Sequence, residues 1–291
     1  MTQTANCRRS RVYLRWALLA GSLIALAACA SLDLALSRDR IAEIVGSADR
    51  SAADRNNDLR RKPEQMLAFI GLRPGMTALD LSTGGGYTAE LLARAVGPAG
   101  AVYGQSLPAR APDAPPRPAV APEGNASPQL TATPATLSAP AAVRRTSAQA
   151  LAERAKNPLL SNLHSTMRVF EDPVPPELAG RLDLVTLMFN YHDLGHMGVD
   201  RQRMNAAVSA GLKPGGLYVI ADHAGRAGTG IGESGTLHRI EEAFLRKEVE
   251  AAGFKLAATA DFLRNASDPR DKNTPEPAQP KDEFVLKFVK P

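Results

Sequence analysis

The chain has 291 residues, 44% of them hydrophobic and 22% charged, enough apolar material for one large folded domain with appendages and too much for a chain disordered throughout. Its formal charge of +5 includes Arg8, Arg9, Arg11 and Arg15 in an N-terminal stretch without acidic residues; removing those four leaves 31 basic against 30 acidic side chains, so no nucleic-acid partner is expected. The two cysteines, Cys7 and Cys29, both lie near the N-terminus, which excludes a disulfide framework or a cysteine-built zinc site in the body of the chain.

Residues 1–15 carry the positive charge, and residues 16–28, WALLAGSLIALAA, form an apolar run too short to span a membrane comfortably. The pattern predicts a secretory signal over residues 1–28. Its end, Leu26-Ala27-Ala28-Cys29, resembles the lipobox of bacterial lipoproteins. That resemblance implies export, lipidation of Cys29 and a membrane anchor facing the periplasm, and Ala30 rather than Asp beside the cysteine points to the outer membrane. Each buried methylene of an acyl anchor contributes roughly 0.8 kcal/mol, so two or three chains hold a protein stably. An uncleaved N-terminal helix with an incidental cysteine is the alternative.

Residues 29–58, rich in Ala, Ser, Arg and Asp, read as a spacer and an N-terminal helix contacting the rest through Ile41, Ile44 and Val45. The main domain is expected over residues 59–291. Pro63 suits the first turn of a helix over residues 63–70, whose Met66, Leu67 and Ile70 share one face before GLRPGM stops it. Residues 77–92, TALDLSTGGGYTAELL, then read as strand, turn and helix. Gly84, Gly85 and Gly86 free the turn to bend and let a ligand reach the N–H groups of the helix start, with the Asp80 carboxylate nearby. A glycine run also serves tight turns with no ligand. A second strand over residues 101–104 completes a β-α-β unit. Residues 107–146 interrupt it: positions 108–140 hold nine of the 22 prolines amid Ala, Thr and Ser, a composition expected to remain a disordered insertion.

The alternation then resumes. A helix is expected over residues 147–159, a short strand over 166–170 ending in Glu171-Asp172-Pro173, and a strand buried on both faces over 182–189, LDLVTLMF, followed directly by Asn190-Tyr191-His192-Asp193. Next come a helix over 204–212, the turn Lys213-Pro214-Gly215-Gly216, and a strand over 217–221 running into Asp222-His223. Residues 225–235, with five glycines, read as a mobile loop beside the site; a helix from Leu237 to Gly253 and strands at 255–259 and 284–288 close the chain. The sum is an α/β fold with a doubly wound, mostly parallel seven-stranded sheet.

Residues 78–86, ALDLSTGGG, resemble the first motif of class I S-adenosylmethionine-dependent methyltransferases, and residues 212–217, LKPGGL, resemble the turn before that family's fifth strand. More narrowly, RKPEQMLAFIGLRPGM, GGGYTAELLARAVGP, FNYHDL and LHRIEEAFLRKEVEAAGF are similar to a group of predicted bacterial methyltransferases that carry secretion signals. The match spans residues 60–290 apart from the insertion. It implies a Rossmann-like fold with S-adenosylmethionine lying across the C-terminal ends of the first, second and fourth strands, Gly84, Gly85 and Gly86 beneath its methionine part and Asp80 close by. Two positions depart from the family pattern. Gln105 stands where an acidic residue usually binds the ribose hydroxyls and adds no charge, and Ser82 replaces the first glycine. Asp172, with Glu171, would receive the adenine amino group, although carboxylates beside a proline are as often turn residues. Tyr87 and Phe189 either line the pocket or belong to the core.

Methyl transfer is in-line displacement at a sulfonium, so such a site must chiefly align nucleophile, carbon and sulfur and exclude water; no metal is expected. Where the acceptor must lose a proton, His192 with Asp193 beside it is the first candidate base and His223 beside Asp222 the second; the alternative for each is a backbone bond at a strand end. Asn190 would orient the acceptor or the cofactor amino group. His196 and His238 read as surface or packing residues, and the spacing of His192, His196 and His223 makes no recognised metal site. The expected function is methyl transfer to a small molecule or an envelope component, for which the cofactor, made in the cytoplasm, would have to be delivered. The rival is a non-catalytic nucleoside-binding protein on the same fold, favoured by Gln105 and Ser82. A nicotinamide-dependent oxidoreductase suits the glycine spacing less well.

Overall fold

The computed structural model describes residues 35–109, 146–275 and 278–291; the leader with Cys29 and most of the proline-rich insertion lie outside them. The chain divides into Met1–Ala35 and Leu36–Pro291, and the second unit holds the sheet. Seven strands, β1 (Thr77–Leu81), β2 (Ala101–Ser106), β3 (Leu163–Met167), β4 (Leu182–Met188), β5 (Leu212–His223), β6 (Lys255–Ala260) and β7 (Glu283–Val289), pair in the order β3-β2-β1-β4-β5-β7-β6. Pairs among β1 to β5 are parallel, and β7 runs antiparallel to both β5 and β6. This is the expected doubly wound seven-stranded sheet. From β1 the chain winds outward to β2 and β3, then returns to start β4 on the other side, so the mouth between β1 and β4 is the switch point where such sheets leave a crevice.

Helices cover both faces. On one side α1 (Arg38–Gly46), α3 (Pro63–Ile70) and α4 (Tyr87–Val96) bury Ile41, Ile44, Met66, Ile70 and Leu92 against Ala78 and Leu184. On the other, α7 (Arg201–Gly211) and α8 (Glu242–Ala251) bury Met204, Val208, Leu245 and Val249 against Leu79 and Val185. Adjacent residues of β1 and β4 thus serve opposite cores, the physical reason these strands are mostly apolar rather than alternating. The segment 29–58, read as spacer and helix, supplies α1 and, with residues 59–61, α2 (Ala52–Arg61), whose starts are capped by the Ser37 and Ser51 side chains.

Several boundaries differ from the sequence expectation. The helix expected over 147–159 ends as α5 (Ser147–Arg154), because Pro158 cannot continue it and instead opens a one-turn 3-10 segment, Pro158–Leu160, capped by Asn157. The following strand begins earlier, at Leu163. The last helix starts at Glu242 rather than Leu237: Ile240 N donates to His223 O (3.0 Å), Gly225 N donates to Ile240 O (2.7 Å), and His238 adopts a left-handed φ of 50°, so this stretch is pinned alongside β5. Residues 225–235 form consecutive turns packed on the short helix α6 (Asp193–His196), where a Cβ at Gly195 would come 2.7 Å from Ile231. No helix of the described residues is long and apolar enough to cross a membrane.

Candidate functional site

At the end of β1 the backbone turns through left-handed conformations at Ser82 (φ 53°), Gly84 (φ 52°) and Gly86 (φ 81°) before α4 begins at Tyr87. Gly86 has a second reason to lack a side chain, since a Cβ would lie 2.9 Å from Leu151 Cδ2 and 3.0 Å from Arg154 Cδ. Gly85 differs: its Cβ position is open, with nothing within 4 Å. In front of the turn lies a cleft of about 220 Å³, lined by Asp80, Ser82, Gly84, Gly85 and Tyr87 and, from α2, by Asn57 and Arg61. Five of the eight cofactor residues expected from the sequence therefore share one cleft, and Gly86 closes the turn behind it.

Gln105 and Asp172 are not among the residues that line it. Gln105 is buried; its Oε1 accepts from Ser82 N (2.9 Å) and its Nε2 donates to Arg168 O (2.6 Å), so the amide braces the glycine turn to the end of β3. The expected partner of a ribose is thus engaged by the protein. Asp172 sits on an exposed turn with its carboxylate paired to Arg168, the turn role that its neighbouring proline suggested.

Asp80 is buried and accepts from Thr83 Oγ1 (2.8 Å) and Thr186 Oγ1 (2.6 Å). Burial pushes its carboxyl up to about 6 against the pull of those hydroxyls and of the Arg61 charge. The Tyr87 hydroxyl donates to Asp58 Oδ1 (2.7 Å), and burial, with that carboxylate, holds the phenol protonated. Arg61 crosses the ring faces of Tyr87 (5.5 Å) and Phe189 (4.3 Å). Arg154 clamps the turn from the far side: its Nε donates to Gly85 O (2.6 Å), and its terminal nitrogens pair with Asp54 (2.7 and 2.9 Å) and Glu90. Sequence reasoning missed Arg61, Asn57 and Arg154. Only the basic run Arg60-Arg61-Lys62 gave a signal; Arg154 arrives from beyond the insertion.

A second group assembles at the ends of β4 and β5. Ser82 Oγ donates to Asn190 Oδ1 (2.6 Å), and Asn190 Nδ2 donates to Asp193 Oδ2 (3.0 Å). His192 lies between two carboxylates, with Nδ1 2.6 Å from Asp222 Oδ1 and Nε2 3.1 Å from Asp193 Oδ1. Burial alone would lower its pKa, but the Asp222 charge and the bonds to Asp193 and Asp222 raise it to about 10. A ring with both nitrogens engaged this way offers no lone pair for a proton, which runs against the base role expected of it. His223 is the opposite case. Burial, and then the charges of Lys281 and His192, keep it neutral, with Nδ1 3.0 Å from Glu283 Oε1. His238 and His196, expected at the surface or in packing, instead approach Asp193: Oδ1 is 2.7 Å from His238 Nδ1 and 3.8 Å from His196 Nδ1.

No protein-family model matches the sequence, and no curated protein matches it. Solved structures do match in shape. A SAM-dependent methyltransferase from Aquifex aeolicus is 17% identical with a TM-score of 0.52 over 87% of this chain and 98% of that one. Geranyl diphosphate C-methyltransferase from Streptomyces coelicolor A3(2), in complex with Mg2+, geranyl diphosphate and S-adenosyl-L-homocysteine, is 13% identical with a TM-score of 0.51 over 85% and 89%. The fold is the class I methyltransferase fold. The [4+2]-cyclase SpnF also matches, 18% identical with a TM-score of 0.51 over 96% and 95%, so the methyltransferase fold alone does not name the reaction. What this methyltransferase-like chain can do has to be read from its cleft at the β1–β4 switch point and from the imidazole group beside it.

Proposed function

We propose that the protein is a class I methyltransferase of the group of predicted bacterial enzymes with secretion signals, using S-adenosylmethionine to methylate a small molecule or an envelope component. The observation that carries this reading is the cleft at the switch point in front of the glycine turn, open at Gly85 and faced by Arg61 and Asn57. The Ser82–Gly85 backbone would hold the methionine end of the cofactor, and Arg61 and Asn57 would receive its carboxylate. The bound cofactor would supply an electrophilic methyl group, and Asn190 would help align an acceptor with it. Asp193 and Asn190 would orient the acceptor, His192 stays charged between its carboxylates, and His223 is the neutral imidazole of the two, a weak base because the burial that keeps it neutral also disfavours its protonated form.

Calorimetric titration with S-adenosylmethionine and S-adenosylhomocysteine tests this. The wild-type protein should bind both, and Gly85→Arg should abolish binding without lowering the melting temperature, because the new side chain enters open space at an unstrained position. Failure of both ligands to bind at millimolar concentration would remove the cofactor from the reading. One observation favours a second reading, a non-catalytic nucleoside-binding protein: the Gln105 amide is engaged with Ser82 and Arg168 instead of presenting a carboxylate at the end of β2. Binding without methylation of any envelope fraction by labelled cofactor would select it. We place the protein on the periplasmic side of the outer membrane through a lipid on Cys29. Cys29→Ala should then move it from the detergent phase to the aqueous phase, and unchanged partitioning would remove the anchor.

A further inference from the structure

We propose that His192, His238 and Asp193 form a binding site for a first-row divalent transition ion of the zinc type. Three imidazole nitrogens converge on one carboxylate oxygen: Asp193 Oδ1 is 3.1 Å from His192 Nε2, 2.7 Å from His238 Nδ1 and 3.8 Å from His196 Nδ1. The donor atoms of His192, Asp193 and His238 all lie within 4.8 Å of one another. Bonds of about 2.0–2.1 Å around a tetrahedral ion put neighbouring donors about 3.3 Å apart, so the group closes on an ion with small side-chain shifts.

The surroundings point the same way. Asp222, fully buried, accepts from both His192 N (2.7 Å) and His223 N (2.8 Å) and so is fixed in place; its Oδ1 sits 2.6 Å from His192 Nδ1. That contact keeps one proton on Nδ1, so that loss of the Nε2 proton to solvent on metal binding would leave its lone pair facing Asp193, the carboxylate–histidine–metal arrangement that orients ligating imidazoles. Asn190 holds the other Asp193 oxygen, and Ser234 Oγ donates to the His192 carbonyl (2.5 Å). Two nearly inaccessible carboxylates, Asp193 and Asp222, flank one imidazole and require positive charge between them, which the protonated His192 ring supplies without metal and a dication would supply in place of its Nε2 proton. The ring edges of His238 and His196, 17% and 18% exposed, give the ion its approach and leave a position for His196 or an exogenous oxygen. Imidazole and carboxylate without thiolate suit zinc, iron, nickel or copper over magnesium. The inference does not depend on methyl transfer.

The test is titration of the metal-stripped, untagged full-length protein with Zn2+ by calorimetry. Saturable binding of one ion per chain is expected, weakened at least about 100-fold in His238→Ala and about 10- to 100-fold in Asp222→Asn, with Mg2+ giving no comparable signal. His164→Ala, on β3 away from the group, should bind as the wild type does. Zinc held by Cys7 or Cys29 would persist in His238→Ala, so equal affinity in that variant overturns the proposal, as does absence of stoichiometric binding in the wild type. Because the His238 ring is partly exposed, its loss should leave the metal-free melting temperature near the wild-type value, which separates lost ligation from lost folding.

Discussion

Arg154 is where the fold and the candidate cofactor cleft depend on the same side chain. Its guanidinium binds Asp54 through two nitrogens, contacts Glu90 and donates to Gly85 O, with 19% of the arginine, 6% of the aspartate and 7% of the glutamate side chain exposed. Arg154→Met keeps the stem near Gly86 and Leu151 but removes every one of these bonds. Glu90 is not stranded, because Arg94 Nε and Nη2 still reach it (3.0 and 2.8 Å); Asp54 loses its ion-pair partner and keeps only the Ser51 hydroxyl and the charge of Arg50. Leaving a buried carboxylate without its partner costs about 3–5 kcal/mol, and with one carboxylate affected the lower end, about 3 kcal/mol, is expected. At about 2–4 °C per kcal/mol for a unit of this size, the melting temperature should fall by about 6–12 °C. Asp54→Asn in the same background removes the stranded charge, so the double variant should recover about 1–3 kcal/mol relative to the sum of the singles. Burial raises the Asp54 carboxyl but the Arg154 bonds outweigh it and hold it low; the stability this gives exists above its unfolded pKa and is lost as pH falls. The gap between wild type and Arg154→Met should accordingly narrow in acid. Urea unfolding measures all three quantities, and additive single and double variants with a pH-independent gap would refute the assignment.

Two further outcomes follow from the same turn. The Asp80 carboxyl, raised by burial from 3.8 to about 6, favours the folded state when protonated; that contribution is present below about 3.8 and is lost as pH rises through about 6, a swing of about 3 kcal/mol. Unfolding free energies compared between about pH 4 and about pH 7.5 should show the wild type losing stability relative to Asp80→Asn, whose amide can still bond Thr83 and Thr186; parallel pH curves would contradict this. Gly86→Ala should cost about 1–3 kcal/mol for its left-handed backbone, more once Leu151 and Arg154 are displaced, while Gly85→Ala stays within about 0.5 kcal/mol. Indistinguishable urea midpoints for the two would mean the turn is not built as described.

What the sequence disclosed was local. The apolar run before three glycines and the helical spacing after them are set by neighbours in the chain, so the strand, turn and helix around Thr77–Leu81 and Tyr87–Val96 were legible, as was the late antiparallel pair. Groups brought in from a distance were not. Arg154 reaches Gly85 across 69 positions and His238 reaches Asp193 across 45, separations at which periodicity carries no information. His192 shows the difference within one residue. Its neighbour Asp193 was visible in the sequence and suggested an ordinary base. Asp222 was visible only as the neighbour of His223, because it comes beside His192 through the pairing of β4 with β5, where Met188 faces Ala221. One carboxylate leaves an imidazole nitrogen available, and two do not. The helix expected from Leu237 failed for a related reason: two backbone bonds to His223 and Gly225 outweighed the apolar spacing of that stretch.

Ser82 and Phe189 explain why the glycine cleft and the imidazole group belong to one site. They follow β1 and β4, neighbouring strands in which Leu81 faces Leu187, and both carry side chains in left-handed backbone, at φ 53° and 59°. Such conformations cost on the order of 1–3 kcal/mol each and persist only where surrounding contacts hold them. Phe189 is held by its N–H on Ala221 O (2.6 Å) and by Arg60 and Arg61 across its ring, at 4.8 and 4.3 Å. Ser82 is held by Gln105 through its N–H and by Asn190 through its hydroxyl. Glycine at position 82 would relieve the backbone but lose the hydroxyl, whose bond contributes about 0.5–1.5 kcal/mol, so for stability alone the two residues nearly balance. What glycine could not do is reach Asn190. The serine links the turn that lines the cleft to Asn190, Asp193 and the imidazoles beyond, so a ligand that shifts the Ser82 backbone changes the hydrogen bond to that group.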